Sequence, residues 1–164
     1  MEGVSSVANP KTNAMRILDK EKINYVVYTY ENKDGKIDGV SVAHKLNQDV
    51  NKVFKTLVTK GVSNEYYVFV IPVEKELSLK AAAKVVGEKS VDMIKVEEIN
   101  KVTGYIRGGC SPVGMKRVYT TVIDKSCENF EAIIVSGGKI GCQIEINPKD
   151  LIELINGKTE EITQ

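Results

Sequence analysis

The stretch Val53-Phe54-Lys55-Thr56-Leu57-Val58 sets one lysine inside an apolar, β-prone run. The run reads as a strand, and a strand has no need of a charge at that point. An ammonium among such neighbours either runs out along its own stem or carries a desolvation cost, so its position is constrained. Lys55 is therefore a site candidate, set against the plainer reading of an exposed lysine on the open face of a half-buried strand. Downstream, Gly61 to Asn64 reads as a hairpin turn and Tyr66 to Val73 as a second strongly β-prone strand.

Working outward from this hairpin, residues 10–21 carry Ala14, Ile17 and Leu18 at helical spacing after Asn9-Pro10, a cap followed by an early proline. A strand is expected at Tyr25–Tyr30, then a polar loop at 32–39 and a short helix from Ser41. Ser78 caps a helix to Val86 that Gly87 ends, Ser90–Met93 reads as a short strand, and Val96–Thr103 is a helix closed by Gly104. Strands follow at 118–123, 132–135 and 143–146, and a last helix spans Pro148–Asn156 with Asn147 as its cap. Strands and helices are mixed without strict βαβ alternation. That predicts an α/β (α+β) fold with a mixed, largely antiparallel sheet, open or closed, and helices packed outside it.

The 164 residues, 42% of them hydrophobic, suffice for one domain with a sizeable core, taken as 10–164 after a flexible N-terminal segment 1–9. A formal charge of +1 gives no broad basic field, so any nucleic-acid contact must be local. Three widely spaced cysteines, with no C-x-x-C pair and no nearby histidine, argue against a zinc site or a disulfide framework. No carboxylate cluster suggests a metal, and neither metal nor cofactor is expected. The first ten residues fit neither a secretory signal nor a transit peptide, and no apolar run reaches bilayer length, so no membrane contact and a cytoplasmic location are expected. His44, the one histidine, falls in a surface helix, which leaves a Ser-His-Asp or Cys-His triad a single possible base.

Two glycine pairs stand beside strands: Gly108-Gly109 within Tyr105-Ile106-Arg107-Gly108-Gly109-Cys110-Ser111-Pro112-Val113-Gly114, and Gly137-Gly138 after Ile133-Ile134-Val135-Ser136. Glycine lets backbone approach a ligand and aim successive N–H groups at an anion, though a turn needing positive φ uses glycine too. Neither loop is a phosphate loop or a serine nucleophile elbow. Cys110 has only Arg107 and loop amides nearby in sequence to lower its pKa, and reads as a packed, inert thiol.

Taken in order, Val53-Phe54-Lys55-Thr56-Leu57, Leu79-Lys80-Ala81-Ala82-Ala83, Thr103-Gly104-Tyr105 with the first glycine loop, Thr121-Val122-Ile123-Asp124 and Val135-Ser136-Gly137-Gly138 resemble the YbaK/EbsC family. These are free-standing aminoacyl-tRNA deacylases related to the editing domain inserted in bacterial prolyl-tRNA synthetases, and the resemblance runs from about Thr12 to about Asn156. It implies a barrel-like mixed sheet surrounded by helices, and hydrolysis of a mischarged tRNA, most characteristically Cys-tRNA(Pro), at the acceptor end. Prolyl-tRNA synthetase is the partner it suggests. By the same resemblance Lys55, Gly108 and Ser136 are the catalytic candidates. Tyr30, Tyr105, Gly109, Ser111, Gly137, Gly138 and Gln143 are the substrate-binding ones.

On this reading Lys55 holds phosphate or ribose oxygens as a point charge, and amides around Gly108 and Gly137 face the scissile carbonyl. In cysteine-clearing members the substrate's own thiol is the nucleophile. Two positions depart from the family pattern: Gln143 stands where an aspartate is common, and Asp38-Gly39-Val40 lacks an aromatic residue. A deacylase for another small amino acid, such as Ala-tRNA(Pro), and a non-catalytic acceptor-end binding module are the alternatives.

Overall fold

The computed structural model describes residues 11–164. The expected segment 1–9 and the cap at Asn9 lie outside that range. In chain order the described residues form α1 (Asn13–Lys20), β1 (Tyr25–Thr29), α2 (Gly39–Lys45), β2 (Phe54–Gly61), β3 (Tyr66–Pro72), α3 (Leu79–Val86) and β4 (Val91–Met93). Then come α4 (Val96–Thr103), β5 (Thr120–Asp124), β6 (Ile133–Ser136), β7 (Cys142–Ile146), α5 (Pro148–Ile155) and β8 (Lys158–Glu160).

Local chemistry sets most of these boundaries. Thr12, Asp38, Ser78 and Asn147 each accept an N–H of the first turn of the helix that follows, which is what an N-cap oxygen does. The Asp38 cap starts α2 at Gly39, two residues before the Ser41 expected from sequence. The hairpin pairs from Phe54 opposite Pro72 to Lys60 opposite Tyr66, and its turn closes with the Gly61 N–H donating to the Glu65 carbonyl at 2.8 Å.

Two sheets result. One has the order β1-β7-β6 and is wholly antiparallel. The other has the order β4-β2-β3-β5-β8, antiparallel around β2 and parallel where β5 meets β3 and β8. The fold is the expected mixed, largely antiparallel sheet with helices, but it does not close into a barrel. Its two halves meet at one parallel bridge, Val53 to Ile134. That seam stays one residue long because a 3-10 turn at Val50–Lys52 ends where Val53 begins, so the chain is not extended on that side.

The main core fills the space between the sheets and takes in Leu18, Phe54, Val58, Val70, Ile133 and Ile144. A second core, with Phe69, Ile71, Ala82 and Ile162, lies on the α3 side of the larger sheet. Phe69 is fully buried there, and its truncation to alanine would cost about 3–5 kcal/mol. A third, smaller cluster of Ala43, Val53, Val73 and Ile134 seats α2 on the seam. Strand alternation sends Phe54 and Val58 into the first core and Leu57 toward the second, so Lys55 shares the face of Leu57 and Thr56 that of Phe54.

Candidate active site

A cleft of about 560 Å³ opens beside the seam. The start of β2 forms one wall, from Val53 through Lys55 to Leu57, and the facing ends of β6 and β7 contribute Ser136 and Gln143. Tyr30, Ile37 and Asp38 from the segment between β1 and α2, Val42 from α2, and Arg107, Gly108 and Cys110 from the first glycine loop add to the lining. Of the residues singled out from sequence, Lys55, Gly108, Ser136, Tyr30 and Gln143 therefore come together in one cavity. Tyr105, Gly109, Ser111, Gly137 and Gly138 do not line it.

Those five build the walls behind the cleft. The Tyr105 hydroxyl donates to the Val113 carbonyl across the glycine loop, and burial pushes its pKa up to about 12. Ser111 is fully buried, its Oγ accepting the Val113 N–H at 3.2 Å. A methyl group on Gly109 would stand 2.9 Å from the backbone of Lys139 and Ile140, so the two glycine loops touch there through backbone alone. In the second loop the Gly137 N–H donates to the Cys142 carbonyl at 2.9 Å, and the Gly138 N–H to Ser136 Oγ at 3.2 Å. Both amides are already committed to the turn, which corrects the expectation that this loop aims free N–H groups at a substrate carbonyl. Gly108 differs: it is exposed, has φ 86°, and among the described residues no acceptor bonds its N–H.

Among the described residues the lining carries two cations, Lys55 and Arg107, and one carboxylate, Asp38. Lys55 is half-buried and, among the described residues, makes no ion pair; Arg107 is exposed and likewise unpaired. Among the described residues Asp38 is the one carboxylate in the lining, and the Ser41 hydroxyl and N–H each donate to one of its oxygens, holding its pKa below the usual carboxylate range. His44 is exposed on α2 and does not line the cavity. Burial pushes the Cys110 thiol up to about 11, so it stays protonated, in line with an inert thiol. The cleft thus presents a lysine, a free backbone N–H, a hydroxyl and a side-chain amide, with no carboxylate or imidazole placed to act as a base.

Several contributors were not singled out from sequence. Thr56 lines the cleft with its hydroxyl buried and without a partner among the described residues, and Gln48 Nε2 donates to Gln143 Oε1 at 2.8 Å. Gly39 packs so close to Val73 that a methyl group there would lie 2.1 Å from Val73 Cγ1, which is how α2 sits down on the end of β3. Lys45 donates to the Glu31 carbonyl, Asp34 and the Lys36 carbonyl at 2.7, 2.8 and 3.0 Å, gathering the 31–36 loop at the rim. None of these has a motif; each depends on a contact between segments far apart in sequence.

Residues 38–154 match the model of the aminoacyl-tRNA editing domain. The chain belongs to that family. Within it, this editing-domain protein is 43% identical over 153 residues, 93% of either chain, to "Putative Cys-tRNA(Pro)/Cys-tRNA(Cys) deacylase EbsC" of Enterococcus faecalis. It is 30% identical over 96 residues to the proline–tRNA ligase of Thermosipho africanus, a match covering 58% of this chain and 17% of the ligase. Among solved structures, a "putative trans-editing enzyme for prolyl tRNA synthetase" superposes with a TM-score of 0.78 at 20% identity, covering 93% of this chain and 98% of the other. The hypothetical protein APE2540 superposes with a TM-score of 0.85 at 19% identity over 93% of this chain and all of the other, and both likenesses show the shared fold. Membership makes the chain an aminoacyl-tRNA deacylase with tRNA as its substrate class. Among the described residues no helix is long and apolar enough to cross a membrane, and no group of three or more His, Cys, Asp or Glu could hold a metal ion.

Proposed function

We propose that this editing-domain protein removes cysteine from misacylated tRNA(Pro), acting in trans on the product of prolyl-tRNA synthetase. The observation that carries the reading is the convergence of Lys55, the N–H of Gly108, Ser136 and Gln143, the first two unpaired among the described residues, on a cleft whose described lining has no imidazole and one carboxylate, Asp38, its pKa held below the usual range and so a weak base. An aminoacyl ester is already activated, so orientation and oxyanion stabilisation supply most of what hydrolysis needs. Lys55 and Arg107 attract the terminal phosphate and ribose oxygens, and the Gly108 N–H faces the carbonyl oxygen as it gains charge. A cleft whose described lining offers only a weak base suits a substrate that brings its own nucleophile. The cysteine sulfur attacks its own ester carbonyl carbon, the bond from that carbon to the ribose oxygen breaks, and the ribose oxygen takes the thiol proton. The cyclic thioester that leaves is opened by water.

The test is hydrolysis of purified Cys-tRNA(Pro) beside Ala-tRNA(Pro) and Pro-tRNA(Pro), with Lys55→Ala as control. Lysine-dependent loss of the cysteinyl ester alone is the expected result. Equal loss of the alanyl ester would overturn the thiol-assisted route, and stability of all three esters would overturn the assignment.

A further inference from the structure

Gln143 is 6% exposed on β7, opposite Ser136 on one side and Tyr28 on the other, and its amide reaches the cleft. A buried primary amide can turn either end outward, and the two ends are chemically opposite: the oxygen accepts, the NH₂ donates. What decides between them is Gln48, from the segment after α2. Its Nε2 donates to Gln143 Oε1 at 2.8 Å, while its own Oε1 is buried with no partner among the described residues. The reverse arrangement would leave the Gln48 NH₂ buried and unpaired, and orphaned buried N–H groups are rarer than under-satisfied carbonyl oxygens.

We infer that Gln48 is a positioning residue that consumes the acceptor end of Gln143 and so turns its NH₂ toward the cleft. The wall beside Ser136 is then a hydrogen-bond donor at every pH. It suits a substrate atom that accepts, such as a ribose or ester oxygen or a side-chain sulfur, and it repels a substrate ammonium, which the aspartate common at this position would attract. The part concerning substrate rests on the deacylase reading above; the amide orientation does not.

The experiment separates the two. Side-chain amide hydrogen exchange is measured by NMR on the ¹⁵N-labelled full chain. The expected pattern is slow exchange for a Gln48 Nε2 proton and about tenfold faster exchange for both protons of Gln143. Slow exchange at Gln143 with fast exchange at Gln48 would overturn the inference whatever the enzyme does. Gln48→Glu offers only acceptors, so it draws the Gln143 NH₂ inward and turns the oxygen to the cleft. Its kcat/KM on Cys-tRNA(Pro) is expected to fall about tenfold with the melting transition retained, and Gln48→Leu, which frees the amide to turn both ways, to fall less. Unchanged hydrolysis by Gln48→Glu in an active enzyme would overturn the functional part. A wild-type protein inactive on this ester would sink the substrate assignment instead, and the exchange pattern would still decide the orientation.

Discussion

Gly109 and Ile140 meet backbone to backbone, so closely that a methyl group on Gly109 would lie 2.9 Å from the Ile140 nitrogen. This contact ties the first glycine loop, which supplies Gly108 to the cleft, to the second, which follows Ser136. Gly109→Ala must force the two loops apart. It is expected to lower stability by about 1–3 kcal/mol in chemical denaturation and to reduce deacylation more than its stability loss explains. A mutant with unchanged midpoint and turnover would mean that the loops separate freely.

Lys55 is half-buried and unpaired among the described residues, so its removal strands no partner charge. Lys55→Ala is expected to melt like the wild type while kcat/KM falls about 100-fold or more, the scale on which loss of one electrostatic contact to a developing oxyanion acts. Circular dichroism melts and single-turnover hydrolysis check the two halves separately. Wild-type turnover in the folded mutant removes Lys55 from the mechanism.

The Thr56 hydroxyl is buried without a partner among the described residues, and Thr56→Val replaces it with a methyl group of similar shape. Deleting an unsatisfied polar group removes its desolvation penalty, so the substitution is expected to stabilise the fold by about 1 kcal/mol, read as a shift in the denaturation midpoint. Destabilisation would place a bound water on that hydroxyl in solution.

Tyr105 holds the glycine loop through Val113. Tyr105→Phe keeps the ring but leaves the buried Val113 carbonyl unpaired, and a loss of about 1–2 kcal/mol is expected. Because Tyr105 does not line the cleft, substrate KM should change little beyond what the loosened loop imposes. A large rise in KM with unchanged stability would make it a contact residue after all.

Alkaline pH should weaken the fold. Burial raises Cys110 from 9.0 to about 11, and burial together with neighbouring acidic groups does the same to Cys127. The unfolded chain therefore releases these protons at lower pH than the folded one, the folded state binds more protons, and stability falls as pH rises from about 9 to about 11. Cys110→Ala should flatten part of that slope in pH-dependent denaturation; an unchanged slope would assign the effect elsewhere.

Much of this was legible in the chain. Ser78 with Gly87, and Asn147 with Pro148, delimit helices because caps are local chemistry, and the hairpin at 54–72 shows in its apolar, β-prone runs and turn residues. β8 was missed, since Lys158–Glu160 is polar and is a strand only because β5 offers it an edge. The division of the sheet was also hidden, because it depends on a single bridge at Val53. The motif residues Lys55, Gly108 and Ser136 reached the cleft, but Gln48 and Thr56 could not be found, as their role lies in what they touch or fail to touch. Tyr105, Gly109 and Ser111 carried a motif signal that belongs to loop construction.

The strand that carries Lys55 is paired with β3 along its length, Lys55 lying opposite Ile71, while β4 pairs only its far end at Thr59–Gly61. Most of the remaining lining comes from segments outside the large sheet, at 30–39 and 107–110. The charge is thus mounted on a hydrogen-bonded strand and much of the shape on connecting segments, which tolerate sequence change more readily. Sequence drift in those two segments would retune which acyl group is admitted while the lysine stays where it is, and a lineage of such proteins would diverge in substrate long before it lost the reaction.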